Sequence, residues 1–306
     1  IGGGRGNVTG SNDGSATNQG FATISGGYDN SASGSTSTIS GGSSNIASDS
    51  GATVGGGDAN AASDSRTTVG GGAFNDATAA YATIGGGWVN EASGEKSAVA
   101  GGDHNTASGQ NSVVAGGSNN IASGSFSATI GGGFGNTANG AYATVPGGLR
   151  AVASHWGELA TASGGFGVEG DAQASLYVLQ RETDDDSLTE LFLDRFSERI
   201  TLAADRVMTF DVLVVGSHRF GGGSSAGYQV AGVIRNIGGV TSFVGTPVTT
   251  VLGENVAGWD VQVVANDASD ALVIKVQGSS GTTVRWVASV RTVEVGRDSA
   301  ERLDSE

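Results

Sequence analysis

The side chains able to do chemistry are few and scattered. Three adjacent carboxylates, Asp184-Asp185-Asp186, invite an acid/base or metal-capture reading. Neighbouring residues in a strand or turn point apart, however, and glycosidic cleavage needs two carboxyls facing each other across roughly 5–9 Å. The run is therefore expected to be a solvated turn. His155-Trp156 stands where a repeat decays, and is read as packing against the following domain or as a binding notch. Asp29, Asp58 and Asp103 fall near turns but at no fixed ligand spacing. The nine-residue calcium-roll motif is absent, so no metal site is expected. The chain has no Cys, which removes thiolate and disulfide chemistry. No nucleophile elbow, Walker loop or His-rich metal motif occurs. The expectation is a chain with no enzymatic activity and no cofactor.

Recognition is the better use of the remaining residues. His218-Arg219-Phe220 border the glycine-rich stretch Gly221–Ser225, and Gly278-Ser279-Ser280-Gly281 is a second connection of the same kind. Flexible polar loops on a rigid scaffold often carry binding. His218, Arg219, Phe220, Ser224, Ser225, Ser279 and Ser280 are the candidate receptor contacts, with plain hairpins as the alternative. Phe74, Trp88 and Phe134 precede the repeat's Asn, and Tyr81, Phe126 and Tyr142 lie in the opposite connection. They either stack on sugar rings or cover grooves between chains.

The element that positions these residues is a fifteen-residue repeat. Asn30, Asn45, Asn60, Asn75, Asn90, Asn105 and Asn120 are evenly spaced, and Asn136 follows after one extra residue. Six residues before each stands Ile or Val, from Ile24 to Ile130; two residues after each stands Ala; a Gly pair such as Gly26-Gly27 lies between. A fixed period of this length implies stacked units. Ala22-Thr23-Ile24 and Ala82-Thr83-Ile84 alternate as strands do, and each Asn-x-Ala segment makes a second short strand. Paired glycines in every turn would cost a helix about 1 kcal/mol apiece. The fold class that follows is all-β: a parallel β-roll or β-solenoid shaft over 1–170.

The Asn column is either a ladder of amides bonding from coil to coil or a set of turn residues tolerating positive φ. About nine to ten coils at roughly 4.8 Å each make a rod on the order of 45 Å. The interior, one Ile or Val and a few Ala or Ser per coil, is thin for a lone chain, which points to an oligomer. Ser11–Gly20 interrupts the period and reads as a loop protruding between coils. Because Ile1 falls in mid-coil, either a longer protein has been cut or more of the same solenoid precedes it.

Beyond Ser175 the pattern changes to longer alternating runs, including Leu176–Leu179, Val207–Val215, Tyr228–Ile234, Val248–Leu252, Trp259–Val264, Leu272–Val276 and Val284–Val295. Turn clusters separate most of them, which indicates an antiparallel β-sandwich, jelly-roll-like, over 171–296. Residues 297–306 are charged and expected to be a mobile tail. The chain holds 55 Gly and a formal net charge of -15. Such an acidic balance argues against nucleic-acid or anionic-membrane partners. No apolar run approaches the roughly 20 residues that cross a bilayer as a helix, so no membrane insertion is expected.

Units such as Ser127–Ala138, Ser-Ala-Thr-Ile-Gly-Gly-Gly-Phe-Gly-Asn-Thr-Ala, resemble the haemagglutinin-like head repeats of trimeric autotransporter adhesins. That resemblance covers the first half and implies a left-handed β-roll in a homotrimer. The second half resembles carboxy-terminal domains of bacteriophage tail fibres through Phe210–Val215, Ala226–Ile234, Trp259–Val263 and Val284–Ala288. It implies a trimeric fibre on a virion tail whose distal domain meets a host-surface glycan or protein. A trimeric bacterial cell-surface or secreted adhesin is the alternative, and a polysaccharide-degrading tailspike a third reading.

Overall fold

The computed structural model describes residues 1–10, 20–220 and 223–297. The insertion expected over Ser11–Gly20 lies almost wholly outside them, as do Gly221, Gly222 and 298–306 of the tail. The chain divides into two compact units, Ile1–Leu149 and Arg150–Glu306.

The first unit is a parallel β-solenoid of about nine coils of fifteen residues. Two-residue strands stack in exact repeat register, Thr53 on Thr68 on Thr83 in one sheet and Ala61 on Asp76 on Glu91 in the other. In each first strand the apolar residue turns inward. Ile24, Ile39, Val54, Val69, Ile84, Val114, Ile130 and Val145 are fully buried, as are Ala32, Ala47, Ala62 and their successors. One chain therefore covers this column unaided, and the thin interior by itself does not call for a partner.

The coils close at their corners through left-handed residues. Gly72 has φ +84°, and a Cβ there would lie 2.1 Å from the Gly87 carbonyl oxygen of the next coil, so only glycine fits. The residue just before each Asn is also left-handed, and there the side-chain type varies: Asp29, Ser44, Ala59, Phe74, Val89 and His104 have φ between 50° and 57°. Positive φ thus belongs to the neighbour of the Asn, not to the Asn.

Each Asn instead sends its amide inward. Asn60 donates through Nδ2 to Asn45 Oδ1 at 3.2 Å, to Gly56 O at 2.9 Å and to Gly72 O at 2.8 Å. Its own Oδ1 accepts the Asn75 N–H and Asn75 Nδ2. The ladder also crosses the sixteen-residue coil, where the Asn136 N–H reaches Asn120 Oδ1 at 3.0 Å. The extra residue is absorbed between the strands Ile121–Ala122 and Thr129–Ile130.

A second inward column carries mixed residues. Ser37 and Thr67 donate their hydroxyls to Gly34 O and Asp64 O, and Ala52, Ala82, Ala128 and Ala143 occupy the same place. Ser97 Oγ and Ser112 Oγ are buried there with no hydrogen-bond partner among the described residues. Ser97→Ala and Ser112→Ala are each expected to stabilise the roll by about 1 kcal/mol, since an unpaired buried hydroxyl costs that order of free energy. Chemical denaturation of the two variants checks this; a loss of stability would contradict it.

The second unit is a two-layer antiparallel sandwich. After the two-residue strand Val152–Ala153, its strands are β1 (Leu159–Ser163), β2 (Ala172–Thr183), β3 (Leu188–Glu190), β4 (Ile200–Thr201), β5 (Arg206–His218), β6 (Ser225–Ile237), β7 (Val240–Phe243), β8 (Val248–Glu254), β9 (Asp260–Asn266), β10 (Ala271–Gln277) and β11 (Val284–Gly296). The larger sheet runs β1-β2-β11-β5-β6, with β7 and β8 both pairing with β6. In the smaller sheet β10 pairs with β3, β4 and β9. Alternate residues of the large sheet, among them Tyr177, Phe210, Val212, Tyr228, Trp286 and Val290, meet Ile200, Leu202, Val261, Leu272 and Ile274 of the smaller one in a single core. Trp286 fits because Gly216 lies beside its ring; a Cβ at Gly216 would come within 2.4 Å of it. No helix among the described residues is long and apolar enough to cross a membrane.

Candidate functional site

The candidate receptor contacts gather at one end of the sandwich. His218 closes β5 with its N–H on Ser224 O at 3.1 Å, and the Arg219 N–H reaches Thr283 O at 2.9 Å. These bonds set the β5–β6 turn beside the β10–β11 turn. Phe220 is 75% exposed, and the Arg219 guanidinium lies 4.9 Å from its ring centre. Glu182 Oε1 accepts from Arg285 Nε at 2.8 Å and Oε2 from Arg219 Nη1 at 3.3 Å. Its carboxyl is held below the usual range, first by the Arg285 hydrogen bond. Asn255 clasps the turn, accepting the Ser225 N–H at 2.8 Å and donating to Gly223 O at 2.7 Å. The arrangement offers an exposed aromatic face flanked by guanidinium donors, the pairing that sugar rings and peptide carboxylates both use.

Ser280 is exposed at this end, whereas Ser279 is turned inward, its Oγ accepting from Trp259 Nε1 at 2.9 Å. The acidic run is a turn: Asp185 accepts the Ser187 N–H at 2.9 Å and its hydroxyl, and the Ser187 hydroxyl bond lowers its pKa. In the roll, Phe74, Trp88, Phe134, Tyr81, Phe126 and Tyr142 are half exposed. Phe126 and Tyr142 stack at 6.1 Å, and Arg66 sits 5.5 Å over Tyr81.

A buried polar cluster forms a second centre, and sequence reasoning found only one member of it. His155 was visible as a feature; Glu158, 1% exposed, was not. Glu158 Oε2 accepts the Ser154 and His155 N–H groups at 2.8 and 3.0 Å and faces His155 Nδ1 at 2.9 Å. Its Oε1 accepts from the Ser175 hydroxyl at 2.6 Å and the Tyr177 hydroxyl at 3.0 Å. Across the imidazole, Nε2 receives the Thr201 N–H at 3.1 Å and lies 2.8 Å from Thr201 Oγ1. Since Nε2 accepts, the proton sits on Nδ1 and points at Glu158. Only a short Ser154-His155 prefix hints at the cluster, because its other donors come from β2.

Burial raises the Glu158 pKa, but the His155, Ser175 and backbone donors outweigh it, and the net direction is down. Burial, then the Glu158 charge, pushes Tyr177 well above its ordinary value. A carboxyl whose folded pKa lies below its unfolded one stabilises fully above the unfolded value and loses that contribution as pH falls through the folded one. The melting temperature is therefore expected to drop as pH falls below the ordinary value of 4.5. Glu158→Gln should be less stable at neutral pH and show a shallower acid decline; parallel curves for the two proteins would refute the assignment.

No protein-family model and no curated protein matches the chain. Among solved structures it is similar to phage tailspikes. Tailspike protein gp49 of Acinetobacter baumannii bacteriophage Fri1, a capsular polysaccharide depolymerase, aligns at 10% identity and TM-score 0.26 over 94% of this chain and 66% of that one. The Acinetobacter baumannii phage AM24 tailspike aligns at 9% and 0.22, over 92% and 59%. The tailspike of Acinetobacter phage vB_ApiP_P1 aligns at 11% and 0.22, over 92% and 60%. The chain thus spans less than two thirds of the length of each. The expectation of no enzymatic activity is corrected here, because a protein described as a depolymerase stands among these matches. Missing motifs were a poor guide, since a glycosidase needs only two facing carboxyls, and facing is decided by tertiary structure.

Proposed function

We propose that this chain is a structural and receptor-binding fibre protein of the bacteriophage tail type, working outside the cell as a homotrimer. The roll serves as the shaft and the sandwich as the tip that meets a host-surface glycan or protein. The carrying observation is the outer face of the large sheet. Val178, Leu213, Val215, Val287, Val293 and Val295 are 42–61% exposed there, and neighbouring strands join them into one surface, Val215 opposite Val287 and Leu213 opposite Ser289. β8 adds Val248 and Leu252, 66% and 59% exposed. An exposed face this rich in apolar side chains, crossed in its middle by the Asp211–Arg291 row, marks a protein interface. It supports several chains side by side, with the Arg219–Phe220 end left free for the receptor.

The test is binding of the full chain to immobilised bacterial capsular polysaccharides and lipopolysaccharides, with product length measured in the same samples. Phe220→Ala and Arg219→Ala are each expected to weaken binding about tenfold or more, the size of a lost aromatic or guanidinium anchor. Binding untouched by both substitutions would overturn this choice of contacts. Shortened polysaccharide would assign cleavage in addition to attachment.

A further inference from the structure

Three side chains of the second unit stand in series beside an open cavity. Glu158 Oε2 faces His155 Nδ1 at 2.9 Å, and His155 Nε2 faces Thr201 Oγ1 at 2.8 Å. Carboxylate, imidazole and hydroxyl in that order, each within hydrogen-bond reach of the next, are the parts of an activated nucleophile. The protonation fits as well. Nε2 accepts the Thr201 N–H at 3.1 Å, so its lone pair is turned toward the same residue's hydroxyl. Exposure is graded along the series. The Glu158 side chain is 1% exposed and that of His155 14%, whereas Thr201 is open to solvent. The Thr201 N–H already holds the ring from that side, so the hydroxyl is not needed to satisfy it. His155 and Thr201 both line a cavity of about 460 Å³, a volume in the range of small-molecule sites.

We propose that Thr201 is the nucleophile of a site that hydrolyses neutral carboxylic esters. His155 is its general base, and Glu158 is the positioning residue that keeps the imidazole proton on Nδ1. Thr201 Oγ1 bonds to the acyl carbon while its proton moves to His155 Nε2. The bond from that carbon to the alcohol oxygen then breaks, and the alcohol leaves with the proton. Water attacks the acyl-threonine, gives a proton to Nε2 in its turn, and releases the carboxylic acid; that proton returns to Thr201 Oγ1. Backbone donors for the oxyanion stand close by in sequence. Ala203 and Ala204 are exposed and line the cavity, and their N–H groups have no acceptor among the described residues. The charges around the cavity set the substrate class. Asp270 and Glu294 line it with Arg206, and Arg206 is taken up by Glu294 Oε1 at 3.1 Å and by the Gly170 carbonyl. An ester that carries an acid group meets these carboxylates, whereas a neutral one does not.

This site is separate from the Arg219–Phe220 end and does not depend on it. The experiment uses the full chain with 4-nitrophenyl acetate as substrate and a fluorophosphonate as covalent probe. Saturable release of nitrophenol is expected, faster than that caused by free imidazole at the same concentration. Peptide mass mapping of the parent protein should place one phosphonate per chain on Thr201, a readout that needs no variant. Thr201→Val keeps the backbone N–H bond to His155, and is expected to keep the melting temperature while slowing hydrolysis at least about a hundredfold. Thr201→Ser should retain both hydrolysis and labelling. Glu158→Gln, assayed where it is folded, should lower kcat with KM within about twofold, the pattern of a group felt only in the transition state. Phe220→Ala should change nothing. Hydrolysis no faster than free imidazole, hydrolysis indifferent to Thr201→Val, or a phosphonate found only on other residues would overturn the proposal.

Discussion

Asn75→Leu is expected to destabilise the roll by roughly 3–5 kcal/mol, the cost of stranding two or three buried polar groups. Leucine keeps the branching of asparagine but is bulkier, so some overpacking adds to the loss of hydrogen bonds. Asn75 Nδ2 donates to Asn60 Oδ1, Gly71 O and Gly87 O at 3.0 Å each. Its Oδ1 accepts the Asn90 N–H at 3.0 Å and Asn90 Nδ2 at 3.1 Å. Leucine leaves the Asn90 N–H buried with no acceptor, and removes one donor from each of three oxygens. Asn75→Asp keeps that acceptor but aims a carboxylate at the same three oxygens, and is expected to cost as much or more. Asn7 provides the comparison: its Nδ2 bonds to Gly3 O and Gly27 O are exposed, although its Oδ1 still accepts the Asn30 N–H at 3.1 Å, so Asn7→Leu should cost less, about 1–2 kcal/mol. Equilibrium or thermal unfolding of the three variants decides the matter. Equal, small losses at both positions would mean that the ladder is ornamental.

The second large effect concerns assembly. Leu213→Asp combined with Val215→Asp is expected to convert the oligomer to folded monomers at micromolar concentration. Four strands at about 4.8 Å, each roughly 40 Å long, give a face of about 800 Å², the area one partner contributes to a stable interface. Its charges balance, with Asp211 opposite Arg291 in its middle row. On a chain of net charge -15 that neutrality removes a barrier to a second copy. Two carboxylates buried there in every chain cost several kcal/mol each. Light scattering on the variant and the parent reads the outcome. A monomeric parent would remove the trimer reading altogether, whereas an oligomeric variant would move the interface elsewhere and leave the trimer standing.

The roll was legible because a repeat places every copy of a residue in one environment. The Ile/Val column reads as buried, and the Gly pair as a corner, before any coordinate is known. The left-handed residue was assigned less well. Asn was one candidate for it, but the position falls one residue earlier and accepts Val89, Phe74 and His104 alike. Its side chain projects outward, so nothing selects a residue type and no signal appears in the column. The Asn, by contrast, is invariant across the coils because its amide is the group that meets the carbonyls of its own coil and the next.

In the second half, alternation located the strands but not what their outer faces do. Val178, Leu213, Val215 and Val287 alternate with core residues such as Leu179, Val214 and Trp286, and strand periodicity alone cannot tell which of two apolar faces is covered. Ser279 was grouped with loop contacts, yet it serves the Trp259 indole. The enzymatic expectation failed for a related reason: it rested on motifs contiguous in sequence.

The sequence by itself determined the coil, its period, its buried Ile/Val column and the change to an antiparallel domain, because all of these depend on spacing along the chain. Tertiary structure decided which apolar face stays open, that Arg219 and Thr283 share one end, and that Glu158 collects donors from residues up to nineteen positions away. These are meetings between strands distant in sequence. Such meetings follow from sheet order and register, and sheet order leaves no periodic mark on the residues that it brings together.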